Sequence, residues 1–528
     1  MSRSTVAPPR LTDLDETQRY EHFDRIQQQM DQVWQRMRLN EEGESVVVVP
    51  SLTLDRVGGG DGSGVLVQAM EERFLFLLLL LRAPRLRLVY VTSMPIAPTI
   101  IEYYLALLPG IIPSHARARL HLVAVGDSSQ RPLSEKLLER PRLVRRIADL
   151  VPDRGRSHLV AYNTTVLERD LAVSLGIPLY GADPRLFDLG TKTGCRRLFA
   201  EEDVRHPIGF EDLHTLQDVV EAVIRLRALR PTASAVIVKL NEGVSGAGNA
   251  MVDLRQLPGP GDDERAGIEQ RLRNMRFERH DIELDDYLAK LAERGGIVEE
   301  LVTGDELRSP SVQLRVVPGG VVELLSTHDQ LLGGPSGQSY LGCRFPADIG
   351  YARAISAEAM RAGQRLAREG VLGRFALDFV VVRDAAGQWA TYAIEINLRK
   401  GGTTHPFLTL QFLTDGRYDA ATGLFMTPSG REKHLVATDH LEFPRLRGLA
   451  VDDLFDIVAR HRLHFDHARQ TGVVFHMISC LTELGRVGLT AIGDTPAQAD
   501  SLYRRAEKIL LDEADNAAAH APIAIPLT

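Results

Sequence analysis

The feature that most constrains this chain is a pair of apolar segments that bring acidic residues together. RFALDFVVV carries Asp378, TYAIEIN carries Glu395 and Asn397, and the intervening RDAAGQW is typical of a turn. A β-hairpin centred near Gly387 would set Asp378 opposite Glu395, with Glu395 and Asn397 on one face because side chains alternate along a strand. The alternative is a solvated strand face, but the apolar neighbours disfavour unpaired surface acids.

Two carboxylates and an amide oxygen on one face form a set of hard oxygen ligands. Mg²⁺ prefers such ligands and completes its octahedron with water or with nucleotide phosphates. The hairpin therefore predicts a site for a magnesium nucleotide at Asp378, Glu395 and Asn397.

Composition limits the class of protein. With 528 residues and 44% hydrophobic content, the chain is long enough for about three or four domains with large cores. Its formal charge of -8 gives no basic field, so nucleic acid is not an expected partner. The cysteines are too far apart for a disulfide framework or a CxxC metal site, which fits the reducing cytoplasm; they are Cys195, Cys343 and Cys480.

One segment is membrane-like in composition. The run FLFLLLLL occupies residues 74–81, far short of the ~20 residues that span a bilayer. We interpret it as a buried helix that ends at Arg82. The N-terminal residues have no apolar stretch of the kind that a secretory signal requires. We therefore expect a cytoplasmic protein without membrane contact.

Strand and helix patterns divide the chain into four parts. Residues 16–38 carry apolar side chains at helical spacing, which predicts an amphipathic helix that packs on the body or on a second subunit. Strands then alternate with helices, which predicts an α/β domain with a doubly wound parallel sheet, and later strands look antiparallel, which predicts α+β structure. The predicted parts are residues 1–43, 44–185, 186–428 and 429–528.

Three glycine-rich segments fit ligand binding. Residues 55–64 follow the first strand and are suited to a phosphate or carboxylate, or form a flexible loop. Residues 333–340 fit a lid. The third, NEGVSGAGNA, follows Lys239, and a glycine-rich turn between strands can fold onto a polyphosphate while the lysine supplies charge. A structural hairpin is the alternative for this motif, whose residues include Gly243, Ser245, Gly246 and Gly248.

A further motif is EELVTGDE at residues 299–306. A strand that stops at a glycine-containing turn exposes backbone groups that can read an adenine edge, and a following acid can bind ribose hydroxyls. Alone, the motif is also a common loop. The order of the motifs along the chain distinguishes a nucleotide-binding site from unrelated loops. That order is Lys192, Lys239 with its glycine loop, this motif, Asp378, and then Glu-x-Asn.

In that order the chain resembles the ATP-grasp superfamily over about residues 190–412. The resemblance implies an ATP-grasp fold behind a pre-ATP-grasp domain, with ATP and Mg²⁺ as cofactors, commonly two ions, and Mn²⁺ as an alternative. It implies that Lys192 and Lys239 bind phosphates under the glycine-rich lid. The adenine and ribose contacts would be Glu299, Glu300, Leu301, Val302 and Glu306, and the metal ligands Asp378, Glu395 and Asn397.

Two longer motifs narrow the resemblance to the pheganomycin-type peptide ligases: STHDQLLGGPSGQSYLGCRFP and NLRKGGTTHP. The second repeats a spacing of D-alanine ligase relatives, in which a glycine amide and polar groups assist the tetrahedral intermediate. The implied catalytic residues are Arg399, Gly401, Gly402, Thr403 and His405. Arg374 departs from that pattern, because it lies four rather than two residues before Asp378, so Arg399 and Lys400 are the nearer phosphate candidates.

The resemblance implies an ATP-dependent ligase that joins a carboxylate to an amine of an amino acid or peptide through an acyl phosphate. The alternatives are a small-molecule kinase, which GGTTHP disfavours because it looks built for a second reactant, and a non-catalytic nucleotide-binding protein. A homodimer is usual in the resembling families. The general base stays open among His328, His405 and water. Further substrate candidates, each with a structural alternative, are Arg315, Arg344, Asp329 and Gln330.

Overall fold

The computed structural model describes residues 8–39, 43–53, 64–243, 248–278, 282–333 and 339–519. Of the glycine-rich segments, residues 55–63 and 334–338, together with Ser245 and Gly246, lie outside these ranges. The α-helices are α1 (Glu16–Gln27), α2 (Met30–Leu39), α3 (Gly64–Glu72), α4 (Pro98–Ala106), α5 (Pro113–Arg117), α6 (Leu133–Leu138), α7 (Pro141–Asp149), α8 (Val166–Leu175), α9 (Lys192–Glu201), α10 (Leu216–Leu229), α11 (Asp262–Arg273), α12 (Leu284–Arg294), α13 (Ile349–Arg368), α14 (Thr404–Thr414), α15 (Val451–Arg460), α16 (Leu481–Leu484) and α17 (Pro496–Ala519).

Short 3₁₀ helices connect several elements; they are Leu11–Asp13, Leu75–Arg82, Arg154–Arg156, Pro184–Gly190, Pro444–Gly448 and Ile478–Cys480. The strands are β1 (Ser45–Val49), β2 (Arg87–Thr92), β3 (Leu120–Ala124), β4 (Ser157–Ala161), β5 (Gly209–Leu213), β6 (Ala235–Leu240), β7 (Asn249–Asp253), β8 (Arg276–Phe277), β9 (Gly296–Glu300), β10 (Glu306–Arg308), β11 (Pro310–Val317), β12 (Val321–Gly333), β13 (Ser339–Phe345), β14 (Gly373–Arg383), β15 (Trp389–Asn397), β16 (Arg417–Asp419), β17 (Leu424–Met426), β18 (His434–Glu442), β19 (Gly472–His476) and β20 (Arg486–Gly493).

The first sheet is parallel, with strand order β3-β2-β1-β4. Alternate residues of β1 enter two different cores: Val46 and Val48 pack in one, and Val47 and Val49 pack in the other. A strand that is apolar on both faces needs helices on both faces. The predicted doubly wound α/β domain is therefore confirmed.

Antiparallel strands form the next two sheets. A five-stranded sheet has the order β5-β9-β6-β7-β8, and its core includes residues of α10, α11 and α12. In the larger sheet, of nine strands, β14 pairs with β15 along one edge and with β11 and β10 along the other. Helix α13 covers β11 and β12. The hairpin that carries the acidic residues is thus held within the largest sheet.

The C-terminal strands extend this same sheet. β18 pairs with β13, β20 pairs with β18, and β19 pairs with β20. Helix α17 packs against β18 and β20. In the described range that ends at residue 519, the C-terminal strands therefore continue the larger sheet rather than forming a sheet of their own.

The N-terminal helical segment differs from the prediction of one helix over residues 16–38. The Gln29 N–H donates to the carbonyl of Ile26, three residues back, and the helix is interrupted there. Both resulting helices pack on the body. In α1, Gln27 exchanges two hydrogen bonds with the Leu179 backbone, at 3.0 and 2.7 Å. In α2, Arg36 donates to the Gly155 carbonyl at 3.1 Å.

The apolar run of residues 74–81 is buried, as predicted, but it does not end one long helix. It forms most of the 3₁₀ helix Leu75–Arg82, which follows the separate helix α3. Its side chains pack in the core shared with the C-terminal strands. No helix within the described ranges is long and apolar enough to cross a membrane.

This packing predicts the effect of shortening a side chain of the run. Leu78 is 0% exposed, so Leu78→Ala is expected to lower the free energy of unfolding by about 2–5 kcal/mol, through lost burial and an unfilled cavity. Leu80→Ala, at a partly exposed position of the same run, is the control and should cost clearly less. Urea denaturation measures both, and equal losses would contradict the assigned burial.

Candidate active site

The acidic residues of the β14–β15 hairpin meet as the sequence predicts. Asp378 lies opposite Glu395, and Ala376 lies opposite Asn397, with a register shift just after Asp378. The Asn397 side-chain N–H₂ donates to both carboxylates, to Asp378 Oδ2 and Glu395 Oε1, each at 3.1 Å. From β12, Gln330 donates to Asp378 Oδ1 at 2.9 Å. One amide thus spans the two acids.

The neighbours of the two carboxyls give them different pKa values. Burial, with the neighbouring Glu395 charge, raises the pKa of Asp378 to about 7. Burial also acts to raise the pKa of Glu395, but its ion pair with Lys192 outweighs this and lowers the pKa overall. Two buried acids in contact cannot both ionise cheaply without a cation between them. The donor set therefore fits a divalent ion with hard oxygen ligands.

Two lysines approach this site from different elements. Lys192, in the first turn of α9, is 9% exposed and pairs with Glu395. Lys239, on β6, is 5% exposed and pairs with Glu299 at 2.5 Å, and Arg196 lies 3.4 Å from the same carboxylate. Glu299 is therefore a structural partner of Lys239 here. Both lysines are held in the fold by carboxylates with which a polyphosphate would compete.

The glycine-rich segment after Lys239 connects two antiparallel strands, because β6 pairs with β7 and Lys239 lies opposite Asn249. The Leu240 N–H donates to the Gly248 carbonyl at 3.0 Å, which closes the base of the turn. An added Cβ on Gly243 would lie 3.3 Å from the Gly248 nitrogen. The base of the predicted lid is therefore tightly built.

The predicted adenine segment already uses part of its backbone. The Glu300 N–H donates to the Ile208 carbonyl at 2.8 Å, and the Leu301 N–H donates to the Ala235 carbonyl at 3.1 Å. These two amides are not available to a purine. The Val302 peptide has no hydrogen bond within the described ranges. Its N–H therefore remains available as a donor to adenine.

Glu306, the predicted ribose ligand, lies on the short strand β10. Its carboxylate pairs with Arg308 and lies 3.6 Å from Arg383. The side chain is partly exposed. Because its carboxylate contacts both arginines, binding a ribose there requires exchange of these contacts.

A cavity of about 430 Å³ lies where the first domain meets the hairpin. Its walls combine residues that are far apart in sequence, and Lys192, Glu395 and Asn397 share it with Arg399. The remaining lining comes from Thr53, Pro132, Asn163, Thr164, Thr165, Ala182, Asp183, Pro184, Phe187, Gly190, Thr191, Asn241, Glu242, Gly243, Ile396 and Leu398.

The first-domain wall of this cavity was missed from the sequence. Thr53 follows β1, and Asn163 follows β4, so both lie beyond the carboxyl ends of parallel strands. Open α/β sheets bind ligands at that edge. Applied to the predicted strands, this rule would have identified Thr53 and Asn163 as candidate lining residues.

The turn before α14 is fixed by hydrogen bonds from β11. The Gly401 N–H donates to Thr404 Oγ1 at 3.0 Å, Thr404 Oγ1 donates to Gln313 Oε1 at 3.0 Å, and Gln313 Nε2 donates to the Thr403 carbonyl at 2.9 Å. The Gly401 amide is therefore engaged, against its predicted role. The Gly402 N–H has no hydrogen bond in the described part of the chain and is the remaining candidate.

His405 is not a free base, because both of its ring nitrogens face other side chains. Arg73 Nε donates to His405 Nδ1 at 3.1 Å, and His405 Nε2 lies 3.0 Å from His476 Nε2 and 3.3 Å from Asp439. Burial lowers the pKa of His405 well below its ordinary value. This corrects its predicted catalytic role to a structural one.

The same four side chains do not suit a metal ion, although His405, His476 and Asp439 gather their ligand-type atoms closely. The Arg73 guanidinium lies 3.3 Å from Asp439 and already balances its charge. Because Arg73 donates to Nδ1 of His405, the neutral ring carries its proton on Nε2, which then has no lone pair for a metal.

His328, the other histidine considered as a base, is also enclosed. Its Nε2 lies 2.9 Å from Ser326 Oγ and 3.2 Å from Gln313 Nε2. Burial lowers its pKa to about 3. His328 therefore contacts Gln313, the residue that fixes the turn before α14.

The remaining substrate candidates have different surroundings. Arg315 pairs with Glu323 at 2.6 Å, and Arg344 pairs with Asp500 at 2.6 Å, so each has a structural acid. Asp329 accepts hydrogen bonds from Tyr351 Oη at 2.5 Å and from the Asp348 N–H at 3.0 Å, while Gln330 contacts the acidic pair.

Arg399, by contrast, lines the cavity, contacts the Tyr162 hydroxyl at 3.4 Å, and forms no ion pair with any described carboxylate.

Comparison with known proteins agrees with this geometry. The family described as IQCH-like, ATP-grasp matches residues 185–265 and 268–421, and the family described as PGM1 C-terminal domain matches residues 453–506. The L-propargylglycine–L-glutamate ligase of Streptantibioticus cattleyicolor is 31% identical over 449 residues, which are 83% of this chain and 89% of that protein.

A second relative shares a smaller part. IQ motif-containing protein H of Danio rerio is 25% identical over 392 residues, 66% of this chain but 37% of that protein. Among solved structures, biotin carboxylase from Campylobacter jejuni has a TM-score of 0.52 at 11% identity, covering 90% of this chain and 96% of that one. An N5-carboxyaminoimidazole ribonucleotide synthetase has a TM-score of 0.50 at 10% identity, covering 90% and 98%. These structures show a shared fold.

The chain belongs to the ATP-grasp family, as the order of its motifs predicts. It is an enzyme, an ATP-dependent ligase that joins a carboxylate to an amine. The narrower resemblance to the pheganomycin-type peptide ligases is confirmed by the ligase relative. The reading as a non-catalytic nucleotide-binding protein is thereby set aside.

Tight packing at the turn predicts an effect on stability. A Cβ on Gly402 would lie 2.5 Å from the Tyr340 ring, whereas a Cβ on Gly401 would meet nothing within 4 Å. Gly402→Ala is therefore expected to lower the free energy of unfolding by about 1–3 kcal/mol, because the ring or the turn must move. Thermal unfolding should show a smaller change for the control, Gly401→Ala. The same midpoint for both variants would contradict the contact.

Proposed function

We propose that the cavity beside the β14–β15 hairpin joins the carboxylate of one amino acid or short peptide to the amine of another through an acyl phosphate. The observation that carries this proposal is the Asp378, Glu395 and Asn397 cluster, whose last two members border the cavity together with Lys192 and Arg399.

The chemistry needs two steps, because a carboxylate carbon is a poor electrophile and oxide is a poor leaving group. First, a carboxylate oxygen attacks the γ-phosphorus of ATP, the bond to the β-γ bridging oxygen breaks, and ADP leaves. The nitrogen of the neutral amine then attacks the acyl carbon, phosphate leaves with the former carboxylate oxygen, and the nitrogen loses one proton to the departing phosphate or to water. The protein mainly aligns the reactants and offsets charge.

Asp378, Glu395 and Asn397 would hold Mg²⁺, as one ion or two, and Mn²⁺ would suit the same oxygen ligands. When bound, the ion supplies positive charge to the phosphate oxygens. Asn397 is hydrogen-bonded to both acids, so the three side chains are held together before any ion arrives.

Cationic side chains supply the remaining charge. Lys192 and Lys239 would exchange their carboxylate partners for phosphate oxygens. Arg399, which has no described acid partner, lines the cavity and would bind the transferred phosphoryl group. The Gly402 N–H would donate to the oxyanion of the second step. The rings of His328 and His405, the two histidines considered for the role of base, are both enclosed.

The name of the ligase relative gives two L-amino acids, which supports the same class of substrate here. We propose amino acids or short peptides on both the carboxylate and the amine side of this enzyme. The fixed turn at Gly401–Thr404 favours a second reactant over the simple phosphorylation of a hydroxyl, because an amide donor there has no task in a kinase.

A trapping assay tests the proposal. Wild-type protein with ATP, Mg²⁺ and an amino-acid pool should release ADP in a substrate-dependent way and form a hydroxamate when hydroxylamine is added. Glu395→Gln should reduce both by about 100-fold or more, because charge at the metal site is lost. Asp384→Asn, in the exposed turn of the same hairpin, is the control and should keep both. A phosphorylated hydroxyl product without hydroxamate would contradict the proposal.

A further inference from the structure

A group of cationic side chains lies beside the cavity without matching acids. The side chain of Arg374, on β14, is partly exposed and makes no hydrogen bond or ion pair with any described residue, and its Nη1 is enclosed without a partner. Positions 374, 376 and 378 share a face of the strand. Arg374 therefore lies on the same face as Asp378, about 13 Å away at about 3.3 Å per residue.

Lys400 is the second cation of the group. It is 8% exposed, and its Nζ donates to the Ala161 carbonyl of β4. It forms no ion pair in the ranges that the structure describes. Burial, with the repulsion of Arg374, lowers the pKa of Lys400 to about 7. Burial also lowers the pKa of Arg374, to about 10. Burial is the main cause of both shifts, and the two cations also repel each other.

Neutral polar groups also lie around these cations. His158 Nδ1 is enclosed without a hydrogen-bond partner, and its ring lies 6.3 Å from the ring of Tyr180, whose enclosed hydroxyl faces Arg315. The acid that faces this group is Glu323, which pairs with Arg315 at 2.6 Å. The carboxylate of Glu323 is therefore already paired with Arg315.

The group adjoins the cavity through the chain itself. Ala161 continues into the lining segment 163–165, Tyr180 continues into 182–184, and Lys400 follows Arg399. The chain therefore leads from the residues beside these cations to residues that line the cavity.

An enclosed cationic atom without a counter-charge is unfavourable, whereas a hydrogen-bonded anion offsets that cost. We propose that Arg374 and Lys400 bind the carboxylate of the acceptor, so that the amine substrate is an amino acid or peptide with a free carboxylate. Tyr180 supplies a further hydrogen bond to this group. The inference rests on the proposed function.

The assignment to the acceptor follows from the chemistry of the two substrates. The carboxylate of the donor is the group that is phosphorylated, so it must lie at the metal site. The carboxylate of an amino-acid acceptor takes no part in the reaction and remains charged throughout. A second anion site away from the acidic pair therefore serves the acceptor.

The test compares an acceptor with its uncharged analogue. The donor is the one that the trapping assay identifies, and the acceptor is an amino acid that forms an amide product with it. The value of kcat/KM is measured for this acceptor and for its primary amide, which lacks the negative charge. Wild type should prefer the carboxylate. Arg374→Met should reduce this preference by about tenfold or more, chiefly through KM of the carboxylate form, because a buried charge-assisted contact is lost.

Controls separate this inference from the proposed function. Hydroxamate formation from the donor alone needs no acceptor, so it should persist in Arg374→Met and report an intact fold. Lys400→Met repeats the test on the second cation, and Arg361→Met, on the exposed face of α13, should leave the preference unchanged. A wild type without hydroxamate would overturn the proposed function, whereas intact hydroxamate formation with an unchanged preference in both variants would overturn only this inference.

Discussion

The cross-strand contact between Asp378 and Glu395 is the interaction on which the rest of the site depends. Two acids that face each other in a buried position repel, and the surrounding residues offset this repulsion. Asn397 donates to both acids, Gln330 donates to Asp378, and Lys192 pairs with Glu395. A one-residue slip of the hairpin would move these side chains to the other face of the sheet. The register of β14 and β15 is therefore the condition for the metal site.

The turn that follows the hairpin ties the site to the whole chain. From the sheet, Gln313 fixes the Thr403 carbonyl and Thr404. His405 is enclosed by Arg73 of the first domain and by His476 of β19. The C-terminal strands thus contribute to the active site by holding the turn, although they line no part of the described cavity.

Much of the fold was accessible from local patterns. Alternating apolar strands and helices predict the parallel sheet, and the apolar flanks of Asp378 and Glu395 predict their hairpin. The break at Gln29 and the separation of α3 from the 3₁₀ helix Leu75–Arg82 were not predicted, because apolar spacing continues through both places while the backbone does not. The continuation of the large sheet by β18, β19 and β20 depends on pairing over long sequence distances, which spacing does not report.

In the site too, local features were predicted from the sequence and long-range contacts were not. The order of motifs along the chain predicts the acids and lysines, since each motif is local. Sequence could not show that the Gly401 amide is bound by Thr404, or that His405 faces Arg73 and Asp439, because these partners come from side-chain packing. It also could not show that Arg374 and Lys400 lack acids, because a missing partner is visible only when the neighbours are in place.

The central claim is that this site activates a carboxylate by phosphorylating it. The most direct test is the fate of oxygen during turnover of a donor labelled with ¹⁸O in its carboxylate. If the account is right, mass spectrometry should find one labelled oxygen in each molecule of released phosphate, because the amine displaces phosphate together with a carboxylate oxygen. Unlabelled phosphate from a reaction that still forms the amide product would contradict it.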